Sequence, residues 1–306
     1  MLDPKGLYQL ASDVPELDGA VLVHALDGFM DAGSAGKGFV DHLLSTLDHR
    51  VVAQFDADLL VDYRARRPEM LFVEDHFERY ATPELALRLV HDADGTPFLL
   101  LTGPEPDAQW ERFVAAVIGL IEQLGVRLTI GVHGIPMAVP HTRPLGVTAH
   151  ATRKSLVTVV NPWRGEIRLP SSAASLLELR LGETDHDAMG FVAHVPHYLA
   201  EADYPDASLA LVRSIAAATG LRIPIDALTE AAGQTRKLVQ EQVEQSDDVG
   251  RVVRALENQY DAYVGGSSKG SLLADRTTMP SADEIGAEFE RFLADLDADG
   301  RRDPDS

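Results

Sequence analysis

The chain has 306 residues, of which 45% are hydrophobic and 25% are charged, a composition typical of a globular protein with one large domain or two smaller ones. Its formal charge of −21 argues against binding to nucleic acids or anionic membranes, and the absence of cysteine excludes disulfides and thiol chemistry. It has neither a run of about 18 apolar residues nor a secretory signal pattern, so we expect a cytoplasmic protein without a membrane span.

The first predicted elements are a strand and a glycine-rich turn. Residues 20–26 are apolar and predict a buried strand, and residues 28–38 (GFMDAGSAGKG) predict a turn that leads into a helix. Backbone N–H groups at the start of such a helix favour an anion, but the glycines can equally serve only to make a tight turn, with Asp31 at the helix N-terminus. The candidate ligand-binding residues of this turn are Gly28, Asp31, Gly33 and Ser34.

An arginine cluster follows two short apolar runs. Residues 51–55 and 59–61 predict strands, and the sequence DYRARRP then brings Arg64, Arg66 and Arg67 close together. Guanidinium groups bind carboxylates and phosphates bidentately, so this cluster is a candidate contact for a partner or an anion. The alternative is a solvated surface.

A strand–helix–strand unit occupies the middle of the chain. Strands are predicted over residues 70–75, 85–92 and 96–103, with a hairpin turn at 92–95. Asp107 is expected to cap a helix with an apolar stripe, and Gly125 to end it. A strand, a helix and a strand within about thirty residues predict parallel strands.

Residues 129–152 (TIGVHGIPMAVPHTRPLGVTAHAT) predict two buried strands around a rigid loop. Pro136, Pro140 and Pro144 stiffen this loop. Rigid loops at strand ends are common positions for binding sites. The candidate ligand-binding residues here are His133, His141 and Arg143.

The next segment continues the alternation of strands and helices. Strands are predicted over residues 157–160 and 190–195, and a helix over 169–182 with Ser171 or Ser172 as its cap. A second helix is expected to begin at Pro205 and end at Gly220. The sequence HVPHYLA between them supplies two more candidate ligand-binding residues, His194 and His197.

The C-terminal quarter has a different character. Residues 226–264 predict a helical arm packed on a core domain of residues 1–225. Residues 265–306 predict a flexible linker, an acidic amphipathic helix over 281–300 and a disordered tail.

No recognised catalytic or metal-binding motif is present. The sequence has no GxSxG elbow between a strand and a helix, since the match GSSKG (266–270) lies in the predicted linker, and it has no HExxH. We therefore predict no catalytic residue, no metal ligand and no cofactor. Loops that follow parallel strands lie at one edge of a sheet and can converge. We therefore define residues 28–38, 133–143 and 194–198 as the three-loop rim, a candidate pocket for a small anion.

Six segments follow one another along the chain: GFMDAGSAGKG (28–38), DYRARRP (62–68), LLLTGPEPD (99–107), GIPMAVPHTRP (134–144), VPHYLAEADYPDAS (195–208) and LENQYDAY (256–263). Together they resemble the bacterial branch of the proteasome assembly chaperone 2 family. The resemblance spans roughly residues 5–264 and implies an α/β fold: a three-layer α/β/α sandwich of the phosphorylase/hydrolase-like type, with a mixed, mainly parallel sheet and a C-terminal helical arm. It also implies a homo-oligomer, such as a trimer, and proteasome subunits or other proteins as partners. The sequence ends in PDS, so the terminal hydrophobic-tyrosine-any tripeptide of some relatives is not expected to operate.

Two hypotheses follow. The first is a non-enzymatic, oligomeric assembly or interaction protein without nucleic-acid or membrane partners. The second is a binder or enzyme for a small anionic ligand, nucleoside- or phosphate-like, at the three-loop rim. They differ in whether the polar side chains of the rim are free to meet a ligand.

Overall fold

The computed structural model describes residues 2–28, 30–157 and 166–265. An eight-stranded sheet forms the centre, and a separate two-stranded hairpin lies outside it. The strands are β1 Tyr8–Leu10, β2 Val21–Asp27, β3 His49–Phe55, β4 Met70–Val73, β5 His76–Tyr80, β6 Ala86–His91, β7 Pro97–Pro104, β8 Leu128–Met137, β9 Val147–Ala151 and β10 Ala188–Pro196. The helices are α1 Ala35–Thr46, α2 Ala57–Leu60, α3 Trp110–Gln123, α4 Ala173–Glu183, α5 Pro205–Thr219, α6 Asp226–Gln245 and α7 Asp247–Val264.

The sheet is mixed, with a parallel centre. Its strand order is β1-β3-β6-β7-β2-β8-β10-β9. Strands β7, β2, β8 and β10 are mutually parallel, and the antiparallel pairs β3–β6 and β6–β7 give β3 the same direction. Five of the eight strands therefore run one way, which confirms the predicted mixed, mainly parallel sheet.

Helices cover both faces of the sheet, each over its own apolar core. Phe39 of α1 and Val212 of α5 pack with Val23 on one face. Phe113 of α3 and Leu177 of α4 pack with the other face. Each fully buried side chain of this kind contributes about 1.5–3 kcal/mol, so the two cores dominate the stability of the fold. The predicted three-layer α/β/α sandwich is confirmed.

The helical pair after α5 packs on the α1/α5 face. Leu228 and Ala232 of α6 and Val253 and Leu256 of α7 are buried in that core. Since these helices share the core of the sheet, the arm rests on the domain rather than extending from it. The predicted linker, acidic helix and tail lie, from residue 266 onward, outside the described residues.

Several local predictions were wrong. Residues 59–61 lie in and just after the short helix α2 and not in a strand, because the Asp56 side chain caps that turn by accepting from the Asp58 N–H. Helix α3 begins after Gln109 rather than at Asp107, whose carboxylate binds Arg66 instead.

One strand was missed by the sequence analysis, and another predicted strand lies mostly outside the described residues. Strand β1 was not predicted, since its three residues are too few for a periodic signal. The strand predicted over 157–160 lies, except for Val157, outside the described residues. Within the described ranges, no helix is both long enough and apolar enough to cross a membrane.

Candidate functional site

The three-loop rim is assembled because β2, β8 and β10 are neighbours. These strands are parallel and adjacent in the sheet, so their carboxyl ends lie side by side. Direct hydrogen bonds join the loops that follow them. The Gly33 N–H donates to the Ala200 carbonyl (2.7 Å), and the Asp31 carboxylate accepts from the Gly134 N–H (3.0 Å). The structure thus brings the three predicted loops together.

Asp31 holds the centre of this arrangement. Its carboxylate accepts from the N–H groups of Gly36 (2.8 and 3.0 Å) and Lys37 (3.0 Å) in the first turn of α1, as well as from Gly134. The N-terminus of a helix favours a negative charge. The donors that an external anion would use therefore already bind a carboxylate of the chain.

Glycine is required where the turn approaches its neighbours. Gly33 has φ 67°, and a Cβ there would lie 2.9 Å from the Tyr204 Cβ. Ser34 is also left-handed, at φ 47°, an uncommon conformation for a residue other than glycine. A Cβ at Gly28 would lie 2.3 Å from the Glu105 carboxylate. The predicted alternative role of these glycines, a tight turn in close contact with its surroundings, agrees with this geometry.

His141 and His197 surround the Tyr198 ring on the α1/α5 face. The Tyr198 hydroxyl accepts from the His141 backbone N–H (2.9 Å) and lies 2.7 Å from the His141 Nδ1. Both histidine rings contact the tyrosine ring edge to face, with centroids 5.9 and 5.5 Å away. Burial lowers the pKa of both histidines and raises the pKa of the Tyr198 hydroxyl. At neutral pH this cluster is uncharged.

Arg143 is bound to helix α7. Its guanidinium donates to both carboxylate oxygens of Asp261 (2.8 and 2.7 Å) and to Glu257 (3.2 Å). Glu257 also accepts from the Thr142 hydroxyl (2.5 Å), and the Tyr260 hydroxyl donates to the Pro144 carbonyl (3.2 Å). The hydrogen bond from Arg143 lowers the pKa of Asp261. The arginine that the sequence offered as an anion receptor thus ties its loop to the helical arm.

His133 and His194 point to the opposite face of the sheet. A Cβ at Gly134 would meet the Ala32 carbonyl on the α1 side, so His133, one residue earlier, faces α4. The His194 Nε2 lies 2.8 Å from the Thr148 hydroxyl on that face. Burial lowers the pKa of His133 and of His194. The predicted site residues therefore meet at one edge but divide between two faces.

A histidine row on the α4 face was not predicted. His24, Gly131, Gly190 and His150 are cross-strand partners on four neighbouring strands. A Cβ at Gly131 would lie 2.7 Å from the His24 ring, and one at Gly190 would lie 2.3 Å from the His150 ring. The two imidazoles thus occupy the space above the glycines. Burial lowers the pKa of His24 to about 4.

Next to this row is a cleft of about 490 Å³ between β9 and α4. It is lined by His150, Thr152, Ser175, Glu178, Leu179 and Gly182, among others, and the His150 Nδ1 lies 2.8 Å from the Glu178 carboxylate. Among the residues that the structure describes, no cluster of three or more His, Asp or Glu side chains is arranged to hold a metal ion. Glycine inside a strand often marks a close approach, and it was the available sequence signal for this row.

The arginine cluster has one internal and two exposed members. Arg66 donates to the carbonyls of Asp27 (2.9 Å) and Glu105, and to the Asp107 carboxylate (2.7 Å). It therefore fixes the segment before β4 to the ends of β2 and β7. Arg64 and Arg67 are exposed.

Comparison with known proteins gives a consistent assignment. The PAC2 family model matches residues 25–243. A Mycobacterium tuberculosis protein of unknown function is 46% identical, with 95% of this chain and 96% of that chain covered and a TM-score of 0.83. A Corynebacterium glutamicum protein of unknown function is 38% identical, with 86% and 99% covered and a TM-score of 0.82.

A third structure shares the fold at lower identity. It is a Mycobacterium tuberculosis proteasome-assembly chaperone homologue, 22% identical, with 76% of this chain and 99% of that chain covered and a TM-score of 0.69. The comparison with curated proteins gave no match. Because the family model covers well over half of the sequence, from the strand before the glycine-rich turn into helix α6, the chain belongs to the PAC2 family.

Proposed function

We propose that this protein is a non-enzymatic, oligomeric interaction protein that acts as an assembly chaperone and is linked to the proteasome. Membership of the PAC2 family and the fold shared with a proteasome-assembly chaperone homologue support this proposal. The relatives at 46% and 38% identity are proteins of unknown function, so the link to the proteasome depends on the family and on the fold shared with the chaperone homologue.

One observation carries the proposal: three polar side chains of the three-loop rim, those of Asp31, Arg143 and His141, bind the protein itself. Asp31 binds the start of α1 and the end of β8, Arg143 binds α7, and His141 binds Tyr198. A catalytic group must reach a substrate atom, and a receptor for an anion must have free donors. These three groups instead stabilise the edge of the sheet, as expected of a rigid scaffold that presents a surface to partners.

The proposal includes self-association in the cytoplasm, with a ring such as a trimer. An acidic chain of net charge −21 disfavours a broad basic face for nucleic acid, which leaves proteins and small molecules, and we propose proteins.

Purified full-length protein and the proteasome α-subunits of the same organism provide the test. We expect a complex on size-exclusion chromatography with light scattering, a mass for the free protein above that of the 33.2 kDa chain, and faster formation of α-subunit rings on native gels. A monomeric protein that neither binds the α-subunits at micromolar concentration nor changes their assembly would contradict the proposal.

The geometry gives less support to the second hypothesis, a small anionic ligand at the rim. A phosphate or carboxylate there must displace Asp31 from its three N–H donors or Asp261 from Arg143. A thermal-shift screen of the wild-type protein with phosphate, nucleosides and nucleotides measures this directly. A saturable increase in the melting temperature that is lost in Arg143→Ala would favour the ligand hypothesis over ours.

A further inference from the structure

Two buried histidines next to the helical arm have ring nitrogens without hydrogen-bond partners. His141 lies in the loop after β8 and His197 directly after β10, and they are 9% and 8% exposed. The His141 Nδ1 lies 2.7 Å from the Tyr198 hydroxyl. Within the part of the chain that the structure describes, the His141 Nε2 and both ring nitrogens of His197 make no hydrogen bond. A buried polar group without a partner costs free energy, so such nitrogens are uncommon in a folded protein.

The loop that carries His141 also carries the polar contacts to α7. The next two residues, Thr142 and Arg143, donate hydrogen bonds to Glu257, and Arg143 also donates to Asp261. We call these contacts the arm latch. Because the latch begins one residue after His141, a rearrangement of that histidine also displaces the groups that bind α7.

Helix α7 is held by few buried side chains. Four of its 18 residues are buried, compared with six of the 15 residues of α5. The arm latch therefore contributes a larger share of the docking of α7 than polar contacts do elsewhere in the core. Elements with few buried apolar contacts open at a lower free energy than the core of a fold.

Protonation of the histidine pair disfavours the docked arrangement. Burial lowers the pKa of His141, although Glu257 of α7 faces the ring and raises it. Burial also lowers the pKa of His197, although the Met137 carbonyl at the end of β8 raises it. The Tyr198 between them stays neutral, because burial raises the pKa of its hydroxyl. A histidine whose pKa is lower in the docked state than in the open state stabilises docking above pH 6.5, and this contribution is lost as the pH falls.

The other ionisable groups around the pair do not produce the same response. The hydrogen bond from Arg143 lowers the pKa of Asp261, so this carboxylate stays ionised in mildly acidic solution. Burial raises the pKa of Tyr204, the neighbour of Tyr198, which is therefore neutral as well. Burial also raises the pKa of Asp206, and since its protonation favours the buried state, it acts in the opposite sense.

We propose that His141 and His197 form an acid-sensitive switch: when the two rings are protonated, the loop after β8 leaves its buried position, the arm latch breaks and α7 is released. Two imidazolium groups without buried partners gain hydration in the open state, whereas the neutral rings pack against Tyr198 in the docked state. The switch does not rest on the proposed function, so it can be tested on the isolated protein.

Amide hydrogen exchange of the full-length protein measures the opening of α7. Rates are compared at pH 7.5 and pH 5.5 after correction for the intrinsic exchange rate at each pH. A histidine that titrates only in the open state, with the ordinary pKa of about 6.5, increases the opening constant about tenfold between these two values. We therefore expect the protection of α7 to fall at least about tenfold, while α3 on the opposite face of the sheet keeps its protection. Unchanged protection of α7, or an equal fall in α3, would overturn the proposal.

The variant His141→Asn/His197→Phe removes both titrating rings. Asparagine keeps a polar atom near the position of the His141 Nδ1, and phenylalanine keeps the edge-to-face contact with Tyr198. The fall in α7 protection should then shrink to less than about twofold. The matched control is His24→Gln, which removes a buried histidine from the opposite face and should leave the fall as large as in the wild type. A fall of wild-type size in the double variant would refute the role of the pair.

Arg143→Gln provides a test that leaves both histidines in place. Because this change weakens the arm latch, the protection of α7 should be lower than in the wild type at both pH values. It should still fall at least about tenfold between pH 7.5 and pH 5.5, since the histidines still titrate. If the protection of α7 in this variant no longer depended on pH, the ion pairs of the latch would be the acid-sensitive element, and the proposal would be wrong.

Discussion

The role of Asp31 can be tested by removing its carboxylate. Asp31→Ala leaves three N–H groups without their acceptor: those of Gly36, Lys37 and Gly134. Lys37 is exposed, and its N–H can turn to water, whereas Gly36 and Gly134 are buried. An unsatisfied buried donor costs about 1–3 kcal/mol, so we expect a loss of roughly 3–4 kcal/mol in the free energy of unfolding. For a chain of 306 residues that corresponds to a decrease of about 5–6 °C in the melting temperature.

The matched control is Asp41→Ala on the same helix. Asp41 makes one exposed ion pair with Lys37 (2.7 Å), and such pairs are worth about 0.3–0.5 kcal/mol. Urea titrations of the wild type and both variants at constant ionic strength give the comparison. If Asp31→Ala loses no more stability than Asp41→Ala, the view that Asp31 is a structural carboxylate is refuted.

Acetate provides a second and more specific readout. Removal of the Asp31 side chain leaves the same N–H donors free and space for a carboxylate. Acetate in the tens of millimolar should therefore raise the melting temperature of Asp31→Ala by mass action, while leaving the wild type and Asp41→Ala unchanged relative to matched chloride. An equal shift in all three proteins would indicate a general salt effect and would contradict the proposed site.

Three other changes probe separate features of the structure. Gly33→Ala should destabilise the protein by about 2 kcal/mol or more, because the backbone there is left-handed and the new Cβ would lie 2.9 Å from the Tyr204 Cβ. The control is Gly95→Ala, where φ is 82° but the surrounding space is open, and it should cost only about 1 kcal/mol. Urea titrations measure both changes. Arg143→Gln should increase amide hydrogen exchange in α7 without changing exchange in α3, and Arg153→Gln, which removes an ion pair with Asp187 elsewhere, should leave α7 unchanged. Because the pKa of His24 is lowered to about 4 in the folded protein, the unfolded chain binds more protons than the folded one between pH 6.5 and 4, and stability must fall as the pH decreases through this window. Between pH 7 and pH 5, His24 accounts for a loss of about 2 kcal/mol in the free energy of unfolding. His24→Gln should remove that loss, as measured by urea titrations at the two pH values.

The arrangement of the strands could be predicted from the sequence, but the face of the sheet to which each loop side chain points could not. The apolar runs of β2, β8 and β10 and the helices between them indicated parallel strands with their loops at one edge, and the loops do meet there. Whether a loop residue faces α1 or α4 depends on the parity of its position in the strand. A strand boundary that is uncertain by one residue reverses that face. His133 and His194 were therefore grouped with His141 and His197 although they lie on the other side of the sheet.

The hydrogen-bond partners of Arg143 could not be predicted from the sequence around it. The acceptors of Arg143 are 114 and 118 residues further along the chain, and spacing within the loop contains no information about them. The histidine row did leave a trace, because Gly131 and Gly190 stand inside strands where a side chain would normally add to packing. Such glycines indicate that another group occupies the space, but they do not say which one.

The rim and the hairpin differ in the free energy that each has available for a partner. A ligand at the rim must first break the hydrogen bonds of Asp31 or the bidentate contact between Arg143 and Asp261, so part of its binding energy is lost to that rearrangement. The hairpin has no such cost, because its apolar side chains are in water and gain by burial in any contact.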